Sequence, residues 1–149
     1  MFLVQHGEAT SEEEDPERPL TDRGARDVRQ VIRLATDAAA INVERIVHSG
    51  KRRAEQTAAA WGEALGVPVE AADGLAPGDD PSTWASRVAN ATAEVTLVGH
   101  LPHLARLAGL LVAGDVDRPL VAFRPGGIVG LAQEATGWSV VLVLPTPSG

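Results

Sequence analysis

Two periodicities alternate along this chain. Short runs of uninterrupted apolar residues, as in strands covered on both faces, give way to stretches with apolar residues every three or four positions, as in amphipathic helices. Residues 2–4 read as a buried strand, and Ser11-Glu12-Glu13-Glu14-Asp15-Pro16 as a solvated loop. Thr21 then offers a helix N-cap, with Asp22 favourable in the first turn. Ala25, Val28, Ile32, Ala35 and Ala39 recur at helical spacing opposite Arg26, Arg29 and Arg33, which predicts a helix to about Ala40. Residues 45–48 form the second strand. Ser49 is placed to cap the next helix, whose apolar face is Ala54, Thr57, Ala58, Trp61 and Leu65 and which Gly66 and Pro68 end. Residues 67–70 read as a short strand, 73–82 as loop and 83–90 as helix. Residues 95–98 are a third clear strand. A long helix is predicted over 101–112, with Leu104, Leu107, Ala108 and Leu111 inward and Pro102 in its first turn.

The last third changes character. Leu120-Val121-Ala122-Phe123, residues 128–131 and residues 138–144 are three strand-like runs, separated by Pro125-Gly126-Gly127 and Thr136-Gly137 turns. Alternating β and α closed by a β-meander predicts an α/β fold: three layers, a mostly parallel central sheet and an antiparallel C-terminal edge. At 149 residues, with no repeat, low-complexity tract or linker, the chain is expected to be one domain over 1–149.

Composition narrows the function classes. Hydrophobic residues make up 44% and charged residues 22%, a globular balance. The net charge of −7 argues against nucleic acid as a partner, since polyanions are held by excess Lys and Arg. Cysteine is absent, which excludes disulfides and thiol chemistry. The opening apolar run is only four residues long and leads into acids, unlike a signal peptide, and no stretch approaches the roughly 18 apolar residues that span a bilayer. A soluble, cytoplasmic protein without a membrane partner is expected.

Three predicted strands end in residues that carry chemistry: Gln5-His6-Gly7, the run from Ser49-Gly50-Lys51-Arg52-Arg53 to Thr57, and Gly99-His100-Leu101-Pro102. Ligands of such sheets bind beyond the carboxyl ends of the strands, so His6, Ser49 and His100 can share one pocket. Helix starts at two of these places favour an anion, and the basic run forms a positive island in a negative chain. A phosphoryl group is the natural occupant. A neutral imidazole can attack phosphorus and form a covalent phosphohistidine. The Arg53 guanidinium can grip phosphate oxygens, and a protonated His100 would be a second donor. No His-plus-carboxylate pattern has recognisable metal-ligand spacing.

These blocks resemble the histidine phosphatase superfamily, and most closely its small SixA-type protein phosphohistidine phosphatases. The family opens on Arg-His-Gly-Glu/Asp, here Gln5-His6-Gly7-Glu8; Arg18-Pro19-Leu20-Thr21, Ser49 through Arg53-Ala54-Glu55-Gln56-Thr57, and His100-Leu101-Pro102 follow in the family's order. The resemblance implies a phosphoglycerate mutase-like fold. It also implies catalysis by His6, Arg53 and His100, with Gln5, Gly7, Glu8, Arg18 and Ser49 binding substrate. It implies no metal and no cofactor, a protein domain bearing phosphohistidine as partner, and a phosphate or sulfate ion as an occupant of the pocket. His48 and His103 have no family role and are expected to be structural or at the surface.

Two features depart from or underdetermine that pattern. Gln5 replaces the family arginine and removes a positive charge, for which Arg18, Lys51 or Arg52 is expected to compensate. The general acid has no motif among Glu8, Glu70, Asp73, Asp79 and Asp80. An imidazole leaving group, with an ordinary pKa near 6.5, needs less proton assistance than an alcohol. A compact interval over 66–94 leaves little covering structure. Both favour a protein-borne phosphohistidine over a sugar phosphate. The alternatives are a small-molecule phosphomonoesterase on the same scaffold, and a phosphoprotein-binding domain with a weakened site.

Overall fold

A computed structural model describes residues 1–38, 41–91 and 93–146. The elements run β1 (Phe2–Gln5), α1 (Asp22–Ala38), β2 (Arg45–His48), α2 (Arg52–Leu65), β3 (Val69–Ala71), α3 (Ser82–Ala89), β4 (Val95–Gly99), α4 (His103–Ala113), β5 (Ile128–Glu134) and β6 (Gly137–Leu144). The six strands form one sheet in the order β3-β2-β4-β1-β5-β6. β3, β2, β4 and β1 are parallel, and β5 and β6 complete the sheet antiparallel. This is the α/β architecture expected from the alternating pattern.

Strands covered on both faces explain the uninterrupted apolar runs. Leu3, Val47 and Leu97 pack with Trp84, Leu104 and Leu107 on the face covered by α3 and α4. Their neighbours Val4, Ile46 and Val98 pack with Val28, Ile32, Ala58 and Trp61 on the face covered by α1 and α2. Each fully buried side chain of this kind contributes about 1.5–3 kcal/mol. Among the described residues, no helix is long and apolar enough to cross a membrane.

Local signals decide the helix ends. Thr21 Oγ1 accepts the Gly24 amide at 2.9 Å, the predicted N-cap. α1 is described to Ala38; Ala39 and Ala40, at the predicted end, lie outside the described residues. Gly66 closes α2 in the left-handed conformation, φ 67°.

Three expectations are corrected. Leu120-Val121-Ala122-Phe123 is not a strand. It pairs with no strand of the sheet, and Val121 and Phe123 instead pack onto the α3–α4 core. Ser49 is not the N-cap of α2: the helix starts at Arg52 after Lys51, and the Ser49 hydroxyl bonds His100 Nε2 and accepts the Lys51 amide at 3.3 Å. α4 starts at His103 rather than Leu101, with Leu101 and Pro102 in the turn before it.

Candidate active site

His6 leaves the carboxyl end of β1 and is held on both sides by backbone. Its amide donates to Gly99 O at 3.0 Å, and the Gly126 amide is shared between Gln5 O at 2.9 Å and His6 O at 3.1 Å. Gly126 has φ 81°, and a Cβ there would come within 3.0 Å of Thr146 Cγ2, so the Pro125-Gly126-Gly127 turn needs glycine to clamp this strand end. On the other side the Gly7 amide donates to Thr57 Oγ1 at 3.0 Å, and the Thr57 hydroxyl donates to Arg53 O at 2.8 Å.

His6 Nδ1 lies 2.7 Å from Gly7 O. A carbonyl can only accept, so this nitrogen carries the proton and Nε2 keeps its lone pair. Burial pushes the imidazole down to about 4, with Arg53 and Arg18 adding to the effect and the Gly7 bond opposing it. His6 is therefore neutral at pH 7. The His100 ring faces it, with centroids 4.9 Å apart and planes inclined at 49°. His100 is 1% exposed. Burial lowers it to about 3, helped by His6, Arg53, Lys51 and His103. Its Nε2 lies 2.6 Å from Ser49 Oγ.

The cations lie beside this pair. Burial and the nearby Arg18 lower the Arg53 guanidinium from its ordinary value, with Glu12 acting in the opposite direction. Its Nε is buried without a hydrogen-bond partner among the described residues. Arg18 adopts φ 49° and donates Nε to Thr10 O at 2.9 Å. No ion pair with Glu13 or Asp15 occupies it among the described residues. A cavity of about 420 Å³ is lined by Arg18, Lys51, Arg52 and Arg53, with Glu12, Glu17 and Glu55 on its walls. A larger cavity of about 550 Å³ lies at the other end of the strands, against Met1, Val95 and Leu131 and remote from the histidines.

Gln5 is buried and its Oε1 has no partner among the described residues. Gly7 has no room for a side chain, since a Cβ would meet Val28 at 2.8 Å. Glu8 is drawn away from the cations: its Oε1 accepts the Thr21 hydroxyl at 2.9 Å. The other carboxylates considered as acids are also engaged. Glu70 pairs with Arg45 at 2.8 Å and Asp73 with Arg87 at 3.0 Å, while Asp79 accepts the Ala76 amide and Asp80 the Ser82 amide. None of the hydrogen bonds or ion pairs among the described residues joins a carboxylate to His6 or His100. No cluster of three or more His, Cys, Asp or Glu there is arranged to hold a metal ion. His48 and His103 are both buried; His48 Nδ1 accepts the Gly50 amide at 3.1 Å.

Sequence reasoning missed three supports. Thr57, read as part of an apolar face and as the end of a family block but given no role, couples Gly7 to Arg53. Gln56 Oε1 accepts the Leu20 amide at 2.7 Å and so ties the Arg18-Pro19-Leu20 segment to α2. Gly126 clamps Gln5 and His6. Gln56 and Thr57 were visible as the end of the Arg-Ala-Glu-Gln-Thr block; Gly126 had no signal beyond its turn.

Two facing neutral histidines at the carboxyl ends of parallel strands, flanked by two arginines, define the class: an α/β protein with paired histidines beside a cationic cavity. A family model of the histidine phosphatase superfamily, branch 1, matches residues 1–79, and the chain belongs to that superfamily. No curated protein matches its sequence. Among solved structures, the protein histidine phosphatase SixA complexed with tungstate is 24% identical, with a TM-score of 0.83 over 97% of this chain and 95% of that one. A protein described as the phosphohistidine phosphatase SixA from Agrobacterium tumefaciens is 25% identical, TM-score 0.79, over 96% and 95%. Another so described, from Nakamurella multipartitia, is 27% identical, TM-score 0.78, over 98% and 96%. The fold is that of these SixA structures.

Proposed function

We propose that this protein is a metal-independent phosphohistidine phosphatase acting on a phosphorylated protein domain. His6 Nε2 attacks the phosphorus, the P–N bond to the substrate imidazole breaks, and the departing nitrogen takes a proton. Water then attacks the phosphohistidine formed on His6, releasing inorganic phosphate and restoring the neutral ring. Arg53 and Arg18 stabilise charge on the phosphoryl oxygens, supplying what a metal ion supplies elsewhere. His100 donates an N–H to the same group, with Ser49 setting its orientation. Gln5 contributes a neutral donor, and Gly7 lets the phosphoryl group approach the backbone. Tungstate in the similar SixA structure supports an oxyanion in this pocket.

The observation that carries the reading is the His6 Nδ1 contact to Gly7 O, which leaves Nε2 as the free nucleophile in a ring held neutral. The substrate class is supported by the engaged carboxylates: without an acid bonded to either histidine, a leaving group of ordinary pKa near 6.5 is favoured over an alcohol. Incubation with a histidine-phosphorylated carrier domain, with His6→Ala alongside, tests both. Phosphate release by the wild type alone is expected. Tight binding without release would instead mark a phosphoprotein reader, and preferential turnover of sugar phosphates would overturn the substrate class.

A further inference from the structure

His103 has no part in the reaction described above, yet its surroundings are not those of an ordinary core residue. It is fully buried, and both of its ring nitrogens lack a hydrogen-bond partner among the described residues. An unpaired polar group so placed is a cost that an apolar side chain of similar size would avoid. His100 Nδ1 is also buried and without a partner among these residues. The two rings belong to one neighbourhood. The Leu104 amide donates to His100 O at 2.9 Å and closes a turn that contains His103, and a charge on His103 is among those that act on His100.

Burial lowers the His103 imidazole from its ordinary value, with Asp79 and Asp80 opposing and Arg106 adding to the effect. Both rings are therefore neutral at pH 7, each with one N–H and one lone pair. Which nitrogen of His100 bears the proton decides whether its Nε2, the atom on the Ser49 side, can donate to a phosphoryl oxygen. Ser49 does not make that choice. Its hydroxyl can donate to Nε2 or accept from it, and the Lys51 amide occupies only one of its lone pairs. The choice falls to the group that faces Nδ1. Asp79 does not take the His103 N–H away from this task, since its bond is to the Ala76 amide.

We infer that His103 is a positioning residue for His100: it donates a ring N–H to His100 Nδ1, which keeps the His100 proton on Nε2, free to turn from Ser49 to a phosphoryl oxygen. This role rests on the reading of the site as a phosphatase and deepens it. A donor at Nδ1 and an anionic acceptor at Nε2 polarise the His100 ring in the same direction, so arrival of the phosphoryl group strengthens the bond to His103. The arrangement is the general one in which a hydrogen bond at one imidazole nitrogen settles what the other can do.

Nitrogen-15 NMR of the imidazoles in the full chain reads the tautomer directly, and with four histidines each signal is identified from single variants. With inorganic phosphate added to saturation, His100 is expected in the Nε2–H form. In His103→Leu, which removes the donor, both forms should be seen, and kcat on a histidine-phosphorylated carrier domain should fall roughly tenfold with little change in KM. His103→Asn keeps an N–H and should recover most of the rate. A leucine variant that melts no lower than the wild type yet turns over slowly separates positioning from packing. His100 held as Nδ1–H in the phosphate-bound wild type would overturn the proposal, as would His100 signals that ignore phosphate or a leucine variant with the wild-type tautomer and rate. The tautomer is read without turnover. A wild type inactive on phosphohistidine, whose His100 tautomer still depends on His103, would therefore uphold the positioning role and overturn the substrate proposed above.

Discussion

Thr57 fastens Gly7 to the helix that bears Arg53. Its hydroxyl accepts the Gly7 amide and donates to the Arg53 carbonyl, and it is fully buried. The backbone beside His6 and the first turn of the helix that bears Arg53 are thereby held in one hydrogen-bonded unit.

Replacing Thr57 by valine keeps the volume but leaves the buried Gly7 amide without an acceptor. A loss of about 1–3 kcal/mol in unfolding free energy is expected, with a fall in phosphatase kcat/KM, and Thr57→Ser should recover most of both. Urea midpoints beside turnover rates check this; a valine variant as stable and active as the wild type would contradict it.

The two central histidines make stability depend on pH in a defined direction. Their folded values, about 4 and about 3, lie below the ordinary 6.5 of an unfolded chain, so the unfolded state binds more protons between these limits. Their contribution is present above about pH 6.5 and is lost as pH falls towards 3–4. Denaturant midpoints should drop across that window, and less steeply in a variant with both His6 and His100 replaced by phenylalanine.

Arg53 is the cation most closely coupled to the central pair. Arg53→Ala should lower kcat by roughly 10²–10³ if one oxyanion donor is lost, and Arg53→Lys should recover only part, since lysine lacks the forked geometry. Steady-state rates on a phosphorylated carrier protein provide the measure.

Gln5 leaves a buried acceptor unpaired where the resemblance places an arginine. Gln5→Arg should tighten binding of inorganic phosphate by about tenfold, the difference between a neutral and a charge-assisted hydrogen bond. Titration calorimetry with phosphate would show it, and unchanged affinity would mean that this position does not reach the anion.

Gly24 marks where α1 meets the loop after His6: a Cβ there would lie 2.2 Å from Glu8 O. Gly24→Ala must displace backbone, at a cost of about 1–3 kcal/mol or more in stability. Thermal melting of the variant decides the matter.

Much of this was legible in the chain. The three buried strands, the amphipathic helices and the Thr21 cap follow from apolar period and cap chemistry, because both reflect contacts within a few residues. The strand ends also announced His6, Arg53 and His100, since a parallel sheet gathers such ends on one side. Leu120-Val121-Ala122-Phe123 was misread for the opposite reason: apolar composition is shared by a strand and by a loop packed on a core, and only the tertiary packing of Val121 and Phe123 tells them apart.

By itself, then, the sequence determined the layered α/β class and the set of residues that can meet at the strand ends, because periodicity and short motifs are local physics. Only the tertiary structure decided that Ser49 serves His100 rather than a helix end, that Glu8 turns to Thr21 and that Gly126 and Thr57 hold the His6 segment from opposite sides. It also decided that His6 and His100 are neutral, because desolvation and the field of distant charges depend on which atoms surround a group in space.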